Sequence, residues 1–165
     1  MRVAPVIAVT ALVLLATGCT TAPDNDLSGK YQPPSASGAE VAFLSGSRVG
    51  GGMLDEDHRA YILLVDNLFL PEARNNWQKP VSITAGEHIV TAAYAYGSFV
   101  ARTELKLQAK AQATYHLMFK YGTEGPRRQL YNDFWIVDDA DGKTVTPVQH
   151  SVVTGGSTYS PFEVN

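Results

Sequence analysis

The chain has 165 residues, enough for one small domain, with 13 Lys and Arg against 16 Asp and Glu. A net charge of −3 supplies no basic stripe for a phosphate backbone, which argues against nucleic acid as a partner. The single Cys excludes an internal disulfide.

Met1-Arg2 gives a short positive start. Val3 to Thr17 is then almost wholly apolar, broken only by Pro5, Thr10 and Thr17. That run is shorter than the roughly 20 apolar residues a membrane-spanning helix needs, and it has the length of a signal-peptide core. The small residues Ala16-Thr17-Gly18 and then Cys19 follow it. This string resembles the lipobox of bacterial lipoproteins, with Ala16 standing where Leu is most common. The resemblance implies a signal peptide over 1–18, cleavage before Cys19, and acyl chains on Cys19 that hold the protein to a membrane. An ordinary secretory signal cut at a small-residue site is the alternative. An unpaired thiol in an exported chain needs a purpose, and lipidation supplies one. Thr20 stands where Asp marks inner-membrane retention in such lipoproteins, so the resemblance implies an outer-membrane protein facing the periplasm.

Removing residues 1–18 takes away Arg2 and no acid, leaving 12 bases against 16 acids, a net charge of −4. No polybasic patch remains to hold anionic headgroups, so membrane attachment rests on the lipid. Residues 19–38 are rich in Ser, Thr, Pro and Gly and read as a flexible tether. Residues 39–149 read as one β domain, and 150–165 as a polar tail that either extends freely or adds an edge strand.

Within the domain, Glu40 to Leu44 is a short apolar run. Ala60 to Leu70 is apolar on both alternating faces until Asp66, as expected of a covered central strand. Val81 and Ile83 alternate with Ser82 and Thr84. Glu87 to Tyr96 is rich in β-branched and aromatic residues. In Ala101–Ala109, Thr103, Leu105 and Leu107 alternate with Glu104, Lys106 and Gln108; this period of two outweighs the good helix formers nearby. Thr114–Tyr121 puts Tyr115, Leu117, Phe119 and Tyr121 on one face. Phe134–Val137 is a short buried run, with Lys143–Val148 as its pairing candidate. Ala85-Gly86, Tyr96-Gly97-Ser98 and Asp138–Lys143 carry turn chemistry. Seven or eight strands at this spacing predict an all-β sandwich.

Several pieces resemble the PEGA-like β-sandwich modules of bacterial envelope lipoproteins: Ile62-Leu63-Leu64-Val65-Asp66-Asn67, like an apolar strand ending in a turn, Pro80 to Val90, Ala109 to Tyr115, and Phe134-Trp135-Ile136-Val137-Asp138. The chain departs from them at Asn67, where Gly is usual, and in the insert Leu68–Lys79. The resemblance implies an immunoglobulin-like or prealbumin-like sandwich and no enzyme activity.

Catalytic signatures are missing. Gly142-Lys143-Thr144 ends like a P-loop, but Val137 stands where the first Gly belongs. There is no Gly-x-Ser-x-Gly, His-Glu-x-x-His or Cys-x-x-Cys. Asp55-Glu56-Asp57-His58 is the densest cluster of metal-ligating types, but consecutive residues rarely converge on one ion, and a solvated acidic loop is the simpler reading. Asp139-Ala140-Asp141-Gly142 lacks the later Glu of a calcium loop and reads as a turn. Arg127-Arg128, flanked by Tyr121 and Tyr131, has the chemistry to grip a carboxylate or glycan. His88 follows the Gly86 turn and is placed to hydrogen-bond turn backbone. His116 and Met118 face outward, and with Tyr94 and Tyr96 are candidates for an interaction patch. The sequence thus predicts a non-enzymatic, lipid-anchored envelope protein without a cofactor, a protein-binding or structural module. Ligand or metal binding at 55–58 or 127–128 is the alternative.

Overall fold

The computed structural model describes residues 29–35, 40–50, 58–97 and 99–153. The stretch 1–18 read as a signal peptide, Cys19, Asp55 to Asp57 and residues 154–165 lie outside them. Among the described residues, ten strands follow in chain order. The first five are β1 (Val41–Ser45), β2 (Ser47–Val49), β3 (His58–Val65), β4 (Leu68–Phe69) and β5 (Val81–Thr84). The others are β6 (Gly86–Tyr96), β7 (Phe99–Ala109), β8 (Thr114–Glu124), β9 (Gln129–Asp138) and β10 (Gln149–Val152). The fold is all-β, in two sheets: one ordered β10-β9-β8-β1-β5, the other β2-β3-β6-β7 with β4 added to β3. The two extra strands over the sequence expectation are the short β2 and β4.

Alternation explains the long hairpins. In β7, Ala101, Leu105, Leu107 and Ala109 are buried while Arg102, Glu104, Lys106 and Gln108 are exposed. In β8, Tyr115, Leu117 and Phe119 point inward. These rows face Ala42 and Leu44 of β1 and Val90 and Ala92 of β6 in the main core between the sheets. The chain passes between sheets at short corners: Gly46 joins β1 to β2, and Ala85 joins β5 to β6. Along another edge, the Ser151 hydroxyl of β10 donates to the Arg102 carbonyl of β7 at 2.9 Å, stitching one sheet to the other.

β3 is apolar from Ala60 to Val65 because both its faces are covered there. Ala60, Ile62 and Val65 enter the main core. Tyr61 and Leu63, with Ala93 and Ala95 of β6, form a second cluster capped by Phe69, Ala73 and Trp77. The insert over 68–79 is therefore the cover of this outer sheet face. A register shift between Ile62 and Leu64 sets Leu63 and Leu64 against the same cluster and returns Val65 to the core.

Three expectations are corrected in detail. The apolar run Ala60–Leu70 is not one strand: Asp66 and Asn67, at φ 51° and 64°, make a tight turn from β3 into β4. Asp and Asn are the non-glycine residues that best tolerate this left-handed backbone, so Asn67 does what Gly would. Second, Gly29 to Tyr31, inside the stretch read as tether, lies on the domain. The Tyr31 N–H donates to the Phe69 carbonyl at 2.8 Å, and the Tyr31 hydroxyl to the Ser82 carbonyl at 2.7 Å. Its aromatic ring, packed on the core, offsets the ordering of the backbone. Third, Lys143–Val148 does not form a strand and meets β9 through a bridge at Thr144, the Asp138 N–H on the Lys143 carbonyl, the Val145 N–H on the Ile136 carbonyl, and the Ile136 N–H on the Thr146 hydroxyl. The edge strand starts after it, as β10, so the tail begins inside the sheet.

Candidate functional site

At one end of the sandwich, where the β6–β7 and β8–β9 hairpins turn, the inward-facing rows do not close. A cavity of about 330 Å³ lies there. Tyr94 and Tyr96 of β6 and Phe99 of β7 line it from one sheet; Tyr121 of β8 and Leu130 and Asn132 of β9 line it from the other. His58, the first residue of β3, stands between them.

His58 is buried, and its ring is parallel to Tyr96 at 4.2 Å and nearly parallel to Tyr121 at 4.0 Å. Two rings that close and that parallel cannot share one imidazole face, so His58 lies sandwiched between them. Its Nδ1 is 2.5 Å from the Tyr94 hydroxyl. Burial, then repulsion from Tyr121 and Tyr96, pushes the Tyr94 phenol well above its ordinary range. It stays a neutral hydroxyl, which both donates and accepts, so the bond holds with either imidazole tautomer.

Asn132 is the other polar wall. It is wholly buried, and neither its Oδ1 nor its Nδ2 has a hydrogen-bond partner. Native proteins pair nearly all buried polar atoms, and leaving one unpaired costs about 1–3 kcal/mol. The strand puts it there by alternation: Leu130, Asn132, Phe134 and Ile136 share the inward face of β9, and Asn132 pairs in register with Tyr121. The cavity is the space from which a partner for this amide can come.

Tyr131, which also lines the cavity, lies over Gly122, where a Cβ would come within 2.7 Å of its hydroxyl. Its ring also meets His150, with centroids 5.0 Å apart. His150 Nδ1 lies 2.8 Å from Asp133 and Nε2 3.3 Å from Glu124. Hydrogen bonding to Asp133, then to Glu124, holds the His150 ring above the usual imidazole range.

Of the residues nominated from sequence, His58 sits in the cavity, while Asp55, Glu56 and Asp57 lie outside the described residues. Arg127-Arg128 falls in the exposed turn of the β8–β9 hairpin, held by the Arg128 N–H on the Gly125 carbonyl. His88 does bond turn backbone: its Nε2 lies 2.8 Å from the Thr84 carbonyl. It also has the carboxylate partner that local sequence does not supply, because the β3–β4 turn brings Asp66 Oδ2 to 2.7 Å from Nδ1. Asp66 Oδ1 accepts the Ile89 N–H at 2.9 Å. Thr84 Oγ1 lies 3.3 Å from His88 Nε2, which completes the outline of a hydroxyl–imidazole–carboxylate chain. The nearer Thr84 carbonyl takes the Nε2 hydrogen, however, so this ring ties down two turns and is not poised as a base toward the hydroxyl. His116 likewise is no lone surface ring, with Nδ1 at 2.5 Å from Asp139. Among the described residues, no three His, Cys, Asp or Glu converge as a metal site.

Asn132 and Phe99 were not nominated from sequence. The signal for Asn132 was present: an amide at an inward position of an alternating row. Phe99 stands just after the Gly97 turn and carries no local signal of its role. No protein-family model, curated protein or solved structure matches this chain.

Proposed function

We propose that the chain is a non-catalytic, lipid-anchored protein of the bacterial envelope whose β domain binds a small molecule in the cavity between His58 and Asn132. The observation that carries this reading is the Asn132 amide, fully buried and without a partner, at the wall of an aromatic cavity. It favours ligand binding over the protein-binding role expected from sequence. It also moves the site from the loops at 55–58 and 127–128 to the space between the sheets, which His58 lines. The two facing, mostly antiparallel sheets support an immunoglobulin-like or prealbumin-like type of sandwich.

The test is nuclear magnetic resonance of the mature protein with a fragment library. Binding should move the Asn132 side-chain amide and the ring protons of Tyr96 and Tyr121 together. A library that perturbs other surfaces and leaves these signals still would remove the reading. The anchor at Cys19 is tested by mass spectrometry of the mature N-terminus: acylated Cys19 is expected, and cleavage elsewhere would remove it.

A further inference from the structure

We infer that the cavity selects a neutral, planar single-ring ligand carrying a cis-amide edge, that is, a primary carboxamide, a lactam or the equivalent edge of a nucleobase, paired bidentately with Asn132. This rests on the reading of the cavity as a binding site, and it follows from size, charge and the arrangement of unmet polar atoms.

A volume of about 330 Å³ is at the small end for ligand pockets, which run from about 300 to 1,000 Å³, and suits one ring with a short substituent. The walls that would meet such a ring are mainly aromatic, and flat π faces favour a flat partner.

Charge is selected against. Among the described residues, no Lys, Arg, Asp or Glu lines the cavity. The imidazole of His58 has its Nδ1 on Tyr94 and its two faces against Tyr96 and Tyr121. A carboxylate, phosphate or ammonium entering here would lose its water without meeting a counter-charge.

The unmet atoms then set the chemistry. An Asn amide offers an acceptor and a donor side by side, the pattern that reads an adenine edge in nucleic-acid recognition. Its complement is a donor and an acceptor on the same side of the ligand. A primary carboxamide, a lactam and a pyrimidine nucleobase such as uracil all have that edge. A trans secondary amide, such as an N-acetyl group, points its N–H and C=O in opposite directions and satisfies only half of Asn132.

The experiment is calorimetry on the mature, full-length lipoprotein in detergent with five probes: benzamide, uracil, acetanilide, benzoate and phenyltrimethylammonium. Benzamide and uracil should bind, and their relative affinity distinguishes an aryl carboxamide from a nucleobase edge as the natural source. Acetanilide, benzoate and phenyltrimethylammonium should each bind at least about tenfold more weakly than benzamide, the scale of a lost amide pairing. Asn132→Leu should weaken benzamide by a similar factor while leaving the circular dichroism spectrum unchanged. Acetanilide binding as tightly as benzamide, in the unaltered protein and so without recourse to any variant, overturns the cis-amide inference but leaves the cavity as a binding site. Preference for the ammonium or benzoate overturns it equally. Silence from all five probes, with other fragments still moving the Asn132 signals, overturns it too. Silence from the whole fragment library removes the site itself.

Discussion

Gly46 passes Ala60 so closely that a Cβ at position 46 would overlap the Ala60 carbonyl oxygen and lie 2.9 Å from the carbonyl oxygen of Trp77. The Gly46 N–H also donates to that Trp77 carbonyl at 2.7 Å, so the corner between the sheets is fixed from both sides. Both obstacles are backbone and have no rotamer to escape into. Gly46→Ala should therefore destabilise by about 1–3 kcal/mol, as overpacking does. Urea unfolding checks it: the midpoint should fall with the slope unchanged. An unmoved midpoint would mean the corner is looser than its geometry.

Asn132→Leu should make the ligand-free protein more stable by about 1 kcal/mol. The substitution removes an unpaired buried amide and fills nearly the same volume with apolar atoms. Thermal or urea unfolding without ligand reads the change. A loss of stability would mean the amide is already satisfied, by ordered water in the cavity.

Tyr94→Phe should destabilise by about 1–3 kcal/mol, because the buried His58 loses its hydroxyl partner while its ring contacts remain. A double-mutant cycle with His58→Phe, which keeps a flat ring between Tyr96 and Tyr121, isolates the bond. A coupling energy near zero would sink the claim that the two side chains act as a unit.

His150 should titrate above the ordinary imidazole value of 6.5, since Asp133 and then Glu124 favour its protonated form. A group whose folded value is raised contributes stability that is complete below 6.5 and is lost as pH rises through the folded value. The ring is exposed and screened by solvent, so the effect on stability is small and proton resonance is the better readout. Asp133→Asn should return the titration toward 6.5, and Glu124→Gln should move it less. A ring titrating at or below 6.5 in the unaltered protein would contradict the pairing.

The hairpins were legible because their signal is local. Leu105 and Leu107 against Glu104 and Lys106 state which face of β7 is buried, whatever surrounds it. β9 was legible only from Phe134 onward. Its first half runs Gln129, Leu130, Tyr131, Asn132 and Asp133, and the inward amide breaks the apolar alternation that marks a strand. The feature that hid the strand is the one that marks the site. The turn inside Ala60–Leu70 was legible only through the resemblance of Ile62–Asn67 to a strand ending in a turn: taken alone, Asp66 and Asn67 interrupt an apolar run too briefly to distinguish a turn from one polar pair. The cavity itself draws on β3, β6, β7, β8 and β9, and no spacing along the chain expresses their meeting. The same holds for His88 and Asp66, which meet through the β3–β4 turn.

β1 is paired on both sides with strands made long after it: Val41 lies opposite Thr84 of β5, and Leu44 lies parallel to Tyr115 of β8. Synthesis runs from the N-terminus, so this strand emerges first of the domain and waits longest for its neighbours. A nascent chain ending before β8 carries β1 with one backbone edge unsatisfied and the first sheet without its middle. Such pairings of high contact order fold slowly, and an open edge in the interval is a template for wrong association. The domain therefore cannot be assembled hairpin by hairpin as it appears; its first strand stays half-paired until the turn at 110–113 has brought β8 beside it.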